Sequence, residues 1–253
     1  MSGPFGSSQW MYATGFKVTN SLNFQSGNSA QLSRTPSSSP TPNRRTFTFS
    51  TWIKRTATFG GDQYVFGTAS EGDGFGFSAN KIRVLLNGSS SGFLTSSTTL
   101  TDTSNFHSLI FAVDTTQSTP SNRVKAYLDG TQVSFDEHTT FPDINHDCDI
   151  NNAEANFVGN GHGNQRINAK LAETNFIEGA QLDESSFGKT SGGVFIPIDT
   201  KDLTFGNNGF RLQYKQTGTG TASSSTVGAD TSGNNNHLTS SGISSSDIST
   251  DAP

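Results

Sequence analysis

Two glutamates, Glu173 and Glu178, lie in a segment, residues 167–178, whose pattern predicts a β-strand. Paired carboxylates perform glycoside hydrolysis, in which one protonates the leaving oxygen and the other attacks the sugar or activates water. Because side chains alternate along a strand, catalytic carboxylates must fall on one face to share a groove. Asn175 stands between the two glutamates, where a third carboxylate would complete the set. The segment therefore predicts an ordinary strand, and we expect no hydrolysis.

An acidic loop, residues 143–152, collects oxygen ligands of the kind that calcium prefers. Asp147, Asp149 and Asn151 match the first three ligand positions of an EF-hand loop. The loop lacks the glycine at the sixth position and the glutamate at the twelfth, so it is not an EF-hand. A simpler calcium site on Asp143, Asp147 and Asp149 stays open, and so does a polar turn without a metal, since Asp and Asn favour turns.

A glycine-rich loop, residues 159–163, superficially resembles a nucleotide-binding motif. A strand rather than a helix is predicted after it, which excludes a dinucleotide site. Glycines permit close approach of the backbone, and the side chains of Asn160, His162 and Asn164 donate and accept hydrogen bonds. We predict that these three residues contact a sugar, with Tyr64 as a stacking ring. A plain hairpin loop is the alternative.

The composition of the 253 residues excludes several classes of protein. Hydrophobic residues make up 30% of the chain and charged residues 15%, and the net charge is −5. No basic cluster suggests nucleic-acid binding, and no apolar run is long enough to span a membrane. A single cysteine, Cys148, excludes an internal disulfide framework. No signal peptide is recognisable, so we expect synthesis in a cytoplasm.

Short segments with strand patterns recur along most of the chain and predict an all-β sandwich of two antiparallel sheets. The clearest is a hairpin over residues 123–135, in which Asp129 and Gly130 form a two-residue turn. That turn places Leu128 opposite Thr131 and Ala126 opposite Val133. Trp52 lies on a predicted central strand and is expected to be part of the core.

The ends of the chain differ in composition from the middle. Residues 1–18 form a Gly/Ser-rich arm that carries Trp10, Met11 and Tyr12, which we predict to anchor the protein to a partner, with docking on its own domain as the alternative. Residues 19–214 form the predicted β domain. Residues 215–253 are rich in Ser, Thr and Gly and predict an extended C-terminal tail.

Several segments together resemble a known family. They read SLNFQSGNSAQLSRTPSSS, RRTFTFSTWIKR, FHSLIFAVDTTQSTPSNRVKAYLDGTQV, KLAETNFIEGAQLDESSFGKTSGGVFIPID, FGNNGFRLQY and DTSGNNNHLTSSG. The chain is similar to the laminin-G-like, concanavalin-A-like lectin/glucanase domains of bacteriophage virion proteins, notably of marine phages. The resemblance implies a two-sheet antiparallel jelly roll and a virion surface role, with adhesion to host glycans as a common use.

The resemblance sets the function that we expect from the sequence. It is a non-enzymatic virion surface protein, made in the host cytoplasm, that acts as a tail fibre, a knob or a capsid decoration. Its expected partners are other virion proteins, further copies of itself, with a trimer favoured, and host surface glycans. A free carbohydrate-binding adhesin and a glycoside hydrolase of the glucanase type are the alternatives.

Overall fold

A computed structural model describes residues 16–37, 41–68, 72–86 and 92–253. These residues form two antiparallel sheets of eight strands each and a separate two-stranded hairpin. The predicted all-β, two-sheet sandwich is therefore confirmed. The strands are numbered along the chain as β1–β18.

The first sheet, sheet A, contains eight strands: β1 (Ser21–Phe24), β3 (Thr46–Arg55), β8 (His107–Asp114), β9 (Val124–Leu128), β10 (Thr131–Val133), β13 (Ala169–Glu178), β16 (Phe210–Leu212) and β18 (Ile248–Ser249). Their order across the sheet is β10, β9, β8, β3, β13, β1 and β18, and β16 also pairs with β13. Long strands β3 and β13 occupy the centre and make the most extensive pairing.

The second sheet, sheet B, contains another eight strands: β2 (Gln31–Arg34), β4 (Asp62–Thr68), β5 (Gly74–Ser78), β6 (Lys81–Leu86), β7 (Gly92–Thr99), β11 (His138–Thr140), β12 (Asn156–Val158) and β17 (Thr239–Ser241). Their order is β11, β7, β6, β5, β4, β12, β2 and β17. The separate hairpin consists of β14 (Gly188–Ser191) and β15 (Val194–Pro197).

Helical structure among the described residues is confined to single turns. One α-helical turn, α1, spans Pro120–Arg123, and 3-10 turns span Ser26–Asn28, Thr41–Arg44, His162–Asn164, Glu184–Ser186 and Ser245–Asp247. No helix within the described ranges has the length and apolar character needed to cross a membrane.

Phenylalanine rings fill the space between the two sheets. Phe49 of sheet A stacks on Phe66 of sheet B with a centroid distance of 4.5 Å, and Phe111 stacks on Phe75 at 4.9 Å. Alternation along β3 turns Phe49 inward and the neighbouring Trp52 outward. Trp52 belongs to a separate apolar cluster on the outer face of sheet A. The prediction that Trp52 is buried is correct, but its environment is not the central core.

The Asp129-Gly130 hairpin has the predicted turn and register. Both turn residues have positive φ, 49° and 76°, as a type I′ turn requires. Leu128 pairs with Thr131 and Ala126 with Val133, although the ladder of β10 ends there. The turn also fixes the position of the Asp129 carboxylate at the tip of the hairpin.

A third layer covers part of the outer face of sheet A. Ile110, Tyr127 and Ile177 project from the sheet and pack against Phe187 and Phe205 of the segment between β13 and β16. This cover explains why central strands of sheet A are apolar on both faces. It also brings the β14–β15 hairpin over the sheet.

The C-terminal segment is part of the sandwich, so the prediction of an extended tail is wrong. Strand β17 extends sheet B beside β2, and β18 extends sheet A beside β1. The carboxylate of Asp230 accepts hydrogen bonds from the backbone N–H groups of Arg211, Ser232 and Asn236, which fixes the chain before these strands. Backbone pairing of this kind is largely independent of side-chain hydrophobicity, and composition therefore failed to predict it.

Candidate functional site

A groove of about 600 Å³ opens on the outer face of sheet A. Four parts of the chain supply its lining: the end of β3, the loop before β8 with the adjacent β9–β10 turn, the tip of the β14–β15 hairpin, and residues 251–253. Three aromatic rings, Trp52, Phe106 and Phe195, line it together with charged side chains. Its volume lies within the range of ordinary ligand sites.

The apolar part of the groove is built on Trp52. Trp52 is 5% exposed, and its ring stacks on that of Phe195 with a centroid distance of 6.1 Å and an interplanar angle of 21°. The Phe195 ring fits over Trp52 because Gly130 and Gly188 have no side chains. A Cβ atom would come within 2.6 Å of the Phe195 ring at Gly130 and within 2.3 Å at Gly188. Phe106, half-buried, completes the apolar lining.

Two lysines and one aspartate form the first charged group at the groove, and of these Lys54 and Asp251 line it. The Asp251 carboxylate accepts hydrogen bonds through Oδ2 from Lys170 Nζ at 2.8 Å and Lys54 Nζ at 3.1 Å. These hydrogen bonds, that from Lys170 above all, lower the pKa of Asp251. Lys54 also lies 5.8 Å from the centroid of the Phe106 ring, in reach of a cation–π contact. The group joins the C-terminal residues to β3 and β13.

A histidine between two aspartates forms the second charged group. His107 Nδ1 lies 2.6 Å from Asp129 Oδ2, and Nε2 lies 3.2 Å from Asp102 Oδ2. The hydrogen bond to Asp129 is the main cause of a raised pKa of His107. Asp102 also accepts hydrogen bonds from the Ser104 backbone N–H and from Asn105 Nδ2, and these lower its pKa.

The two glutamates considered for catalysis lie on opposite faces of sheet A. A β-bulge interrupts β13 just before Asn175, and the strand then pairs regularly with β3 as far as Glu178. Glu173 and Asn175 both accept a hydrogen bond from Thr200 Oγ1 on the outer face. Glu178 shares the inner face with Phe176, whose ring is in the central core. The two carboxylates therefore do not share a groove.

Each of these glutamates has a structural partner. Glu173 Oε1 accepts a hydrogen bond from Arg211 Nε at 2.5 Å, and the two side chains are 3% and 4% exposed. Burial raises the pKa of Glu173, and the neighbouring arginine opposes that shift. Glu178 accepts hydrogen bonds from Asn208 backbone N–H at 2.9 Å and from Asn151 Nδ2 at 2.9 Å. Both carboxylates thus stabilise the packing around β13.

The four residues predicted to contact a sugar come together, but only two reach the surface. Tyr64 and Asn160 are each 0% exposed. The Tyr64 ring is covered by His162, which meets it edge-on at 6.1 Å, and Asn160 donates to the side chain of Gln31. Tyr64 therefore presents no ring face to a ligand, which corrects its predicted role. His162 and Asn164 stay available, and their role stays a prediction.

The acidic loop pairs its carboxylates with arginines. Arg45 Nε lies 2.6 Å from Asp147 Oδ1, and Arg44 Nη2 lies 3.9 Å from Asp149 Oδ1. The side chain of Asp143 is exposed. Among the described residues, no three His, Cys, Asp or Glu side chains are grouped so that they could hold a metal ion. The arrangement does not fit a calcium cage, and calcium binding stays a prediction.

The predicted anchoring residues Trp10, Met11 and Tyr12 lie outside the described residues. The described part of the chain begins at Phe16, whose ring lies 5.7 Å from the Arg211 guanidinium and joins the Trp52 cluster. Residues 16–18, placed in the arm by sequence, therefore pack on the domain.

The groove residues Phe106, His107 and Phe195 were not found from the sequence. Their groups are spread over loops and hairpins far apart in the chain, and no short motif joins them. The predicted Asp129-Gly130 turn was the one usable indication, because it fixed a carboxylate at the tip of a hairpin. The antiparallel pairing of β8 with β9 then places His107 beside that carboxylate.

Comparison with solved structures finds a protein that shares this architecture. A candidate carbohydrate-binding protein from Bacteroides ovatus superposes with a TM-score of 0.62 and 14% identity, over 94% of this chain and 62% of that one. A pentraxin from Limulus polyphemus covers 66% of this chain and 79% of its own at 12% identity and a TM-score of 0.43. The present chain thus spans less than two thirds of the Bacteroides protein.

No curated protein matches the chain. A laminin-G family model, described as the concanavalin A-like lectin/glucanases superfamily, matches residues 24–184. The match includes the central strands of both sheets and ends shortly before the β14–β15 hairpin that closes the groove. The chain belongs to this laminin-G family of the concanavalin A-like lectin/glucanase superfamily.

Proposed function

We propose that this protein binds glycans without hydrolysing them and that the groove on the outer face of sheet A is the binding site. The observation that carries the proposal is the combination of stacked Trp52 and Phe195 with Phe106 across an open groove. Sugar rings present apolar C–H faces to aromatic rings, and their hydroxyl groups exchange hydrogen bonds with polar side chains. The flanking His107 and Asp251 groups supply such partners.

The absence of hydrolysis is proposed from the positions of the glutamates. Glycosidases place two carboxyl groups about 5–10 Å apart on either side of the scissile bond. Glu173 and Glu178 lie on opposite faces of one sheet, and each is buried against its own partner. The alternative of a glucanase-type hydrolase therefore has no support from this strand. The description of the Bacteroides protein as a candidate carbohydrate-binding protein is in keeping with a lectin.

Glycan-array binding with groove variants tests this proposal. Phe106→Ala and Phe195→Ala each remove a half-buried ring from the groove, and we expect each to lower affinity for the bound glycan at least tenfold, in line with the cost of losing an aromatic anchor. Phe93→Ala is the matched control, because Phe93 is half-buried on sheet B. Equal affinity of all three variants and the parent protein would place glycan binding elsewhere.

We also propose that the protein acts at the surface of a phage particle, as a tail or capsid component that displays the lectin domain. The ordered set of motifs that resembles virion lectin domains supports this role. Immunogold electron microscopy of purified particles tests it. Labelled tails or capsids are the expected result, whereas particles without label and free protein in the medium would favour a secreted or released adhesin.

A further inference from the structure

We infer that the groove selects uncharged glycans and discriminates against sugars that carry carboxylate or sulfate groups. This inference rests on the proposed function, since it concerns the ligand of the same groove. Its basis is the way in which the charges around the groove are paired.

The two lysines at the groove already share a carboxylate. Lys54 Nζ and Lys170 Nζ both contact Asp251 Oδ2, at 3.1 Å and 2.8 Å. In a site that binds acidic sugars, the sugar carboxylate pairs with an arginine or lysine that has no carboxylate partner in the protein. Here it would have to displace a carboxylate that is fixed in the protein. The lysines therefore offer little attraction for a ligand anion.

The histidine of the groove is occupied in the same way. Both ring nitrogens of His107 contact carboxylates, Asp129 on one side and Asp102 on the other. Three aspartates thus face two lysines and one histidine. The set has no net charge when His107 is protonated and is net negative when His107 is neutral, so in neither state does it offer an excess of positive charge to an approaching carboxylate or sulfate.

The same carboxylates suit the hydroxyl groups of a neutral sugar. An ionised carboxylate only accepts hydrogen bonds, whereas each sugar hydroxyl donates one. A sugar carboxylate or sulfate ester has no proton to donate in place of the hydroxyl that it replaces. Acceptors next to the Trp52, Phe106 and Phe195 rings therefore fit a neutral ring with free hydroxyls.

A matched pair of ligands tests the selectivity. Any neutral oligosaccharide that binds in the array is compared with its derivative in which the primary hydroxyls are oxidised to carboxylates, by titration calorimetry at low and physiological salt. We expect the oxidised form to bind at least tenfold more weakly. The difference should narrow as salt rises, because screening weakens repulsion between exposed charges.

Asp251→Asn isolates the electrostatic cause. The substitution frees Lys54 and Lys170 from their shared carboxylate, and should therefore raise the ratio of the affinity for the oxidised ligand to the affinity for the neutral ligand about threefold to fivefold. Glu137→Gln is the control, since it frees Lys81 from an equivalent pair in sheet B, away from the groove. It should change neither affinity.

The outcomes separate this inference from the proposed function. Equal or tighter binding of the oxidised ligand by the parent protein would overturn the inference and leave the proposed function intact, provided that Phe106→Ala still lowers the affinity for the neutral glycan at least tenfold. Equal effects of Asp251→Asn and Glu137→Gln would overturn the electrostatic explanation. An array with no bound glycan of either charge would overturn the proposed function and the inference together.

Discussion

Glu173 and Arg211 form a buried ion pair at the β-bulge of β13. The Glu173 Oε1 to Arg211 Nε distance is 2.5 Å, and Arg211 Nη2 also lies 2.9 Å from Asp199 Oδ1. Glu173 adopts a positive φ of 43°, which is uncommon outside glycine. The pair thus joins a strained backbone position to β16 and to the segment that covers sheet A.

Removal of this carboxylate is expected to destabilise the domain. Glu173→Gln leaves the Arg211 guanidinium buried with only the partly exposed Asp199 as an anionic partner. Breaking a buried ion pair on one side typically costs about 3–5 kcal/mol, and we expect the free energy of unfolding to fall by about 3 kcal/mol because Asp199 remains. Urea unfolding at pH 7, followed by circular dichroism, measures the change.

The control for this prediction is an exposed pair in the same protein. Glu137→Gln removes the partner of Lys81, whose side chain is 40% exposed, and should cost less than about 1 kcal/mol. Similar losses for the two substitutions would show that burial does not govern the contribution of the Glu173 pair.

Short-range sequence patterns predicted the turns and strands of the fold better than they predicted which residues those elements pack against. The Asp129-Gly130 turn was predicted in type and register because the dipeptide itself sets the backbone angles. The outward orientation of Trp52 depends instead on which face of β3 a later segment covers. Strands β17 and β18 pair through their backbones at sheet edges, so a Ser/Thr-rich composition gave no indication of them.

The candidate site was harder to predict than the fold for the same reason. The sequence drew attention to Tyr64 and Asn160 because of their chemistry, yet tertiary packing buries both. Phe195 appeared as one more strand residue, and its place in the groove depends on Gly188 of its own hairpin and on Gly130, which is distant in sequence. Burial and long-range pairing determine which polar and aromatic groups reach a ligand.

The acidic loop provides a test for calcium. Because Arg45 and Arg44 neutralise Asp147 and Asp149, we expect EDTA to leave the melting temperature unchanged. A cation bound only by the folded state would raise the melting temperature by mass action. Differential scanning calorimetry with EDTA, with calcium and with magnesium as the control cation measures the melting temperature. A calcium concentration of roughly 5 mM is enough to saturate weak, extracellular-type sites. A rise specific to calcium would restore the predicted site.

The N-terminal arm provides a test for assembly. Phe16 and Val18 pack beside Trp52, so a truncation that spares the domain must end at residue 15. We expect deletion of residues 1–15 to leave strand-rich circular dichroism unchanged while it abolishes homo-oligomers and incorporation into particles, because the deleted residues carry aromatic side chains suited to interface anchoring. Analytical ultracentrifugation and particle immunoblots measure the two effects.

A triple substitution is the control for the arm. Replacement of Trp10, Met11 and Tyr12 by serine keeps the length of the chain and should reproduce the deletion. Normal loading of either variant onto particles would exclude the arm as the anchor. Loss of the strand spectrum in the deletion variant would show that residues 1–15 belong to the domain.

The His107 pair provides a pH-dependent prediction. The hydrogen bond that His107 donates to Asp129, with a second one donated to Asp102, raises the pKa of His107 in the folded protein above its unfolded value of about 6.5. The folded state therefore binds this proton more tightly, and the stability it contributes is complete below about pH 6.5 and is lost as the pH rises through the folded pKa. The free energy of unfolding should fall over that interval by about 1 kcal/mol, as for a partly exposed charge pair.

His107→Gln should remove this component of the pH dependence, because glutamine can still donate a hydrogen bond but does not titrate. His138→Gln is the matched control: His138 lies on sheet B, where its ring contacts Phe93, and its substitution should leave the component in place. Urea unfolding of the parent protein and of both variants measures this pH dependence, in half-unit steps over a range of about pH 5.5–8.5 that brackets the ordinary histidine pKa.

A nuclear magnetic resonance titration of the ring protons then assigns the pKa shift to one histidine. If the ring of His107 titrated below its unfolded value, or if His138→Gln removed the pH dependence, the Asp102–His107–Asp129 arrangement would not be the source of the effect.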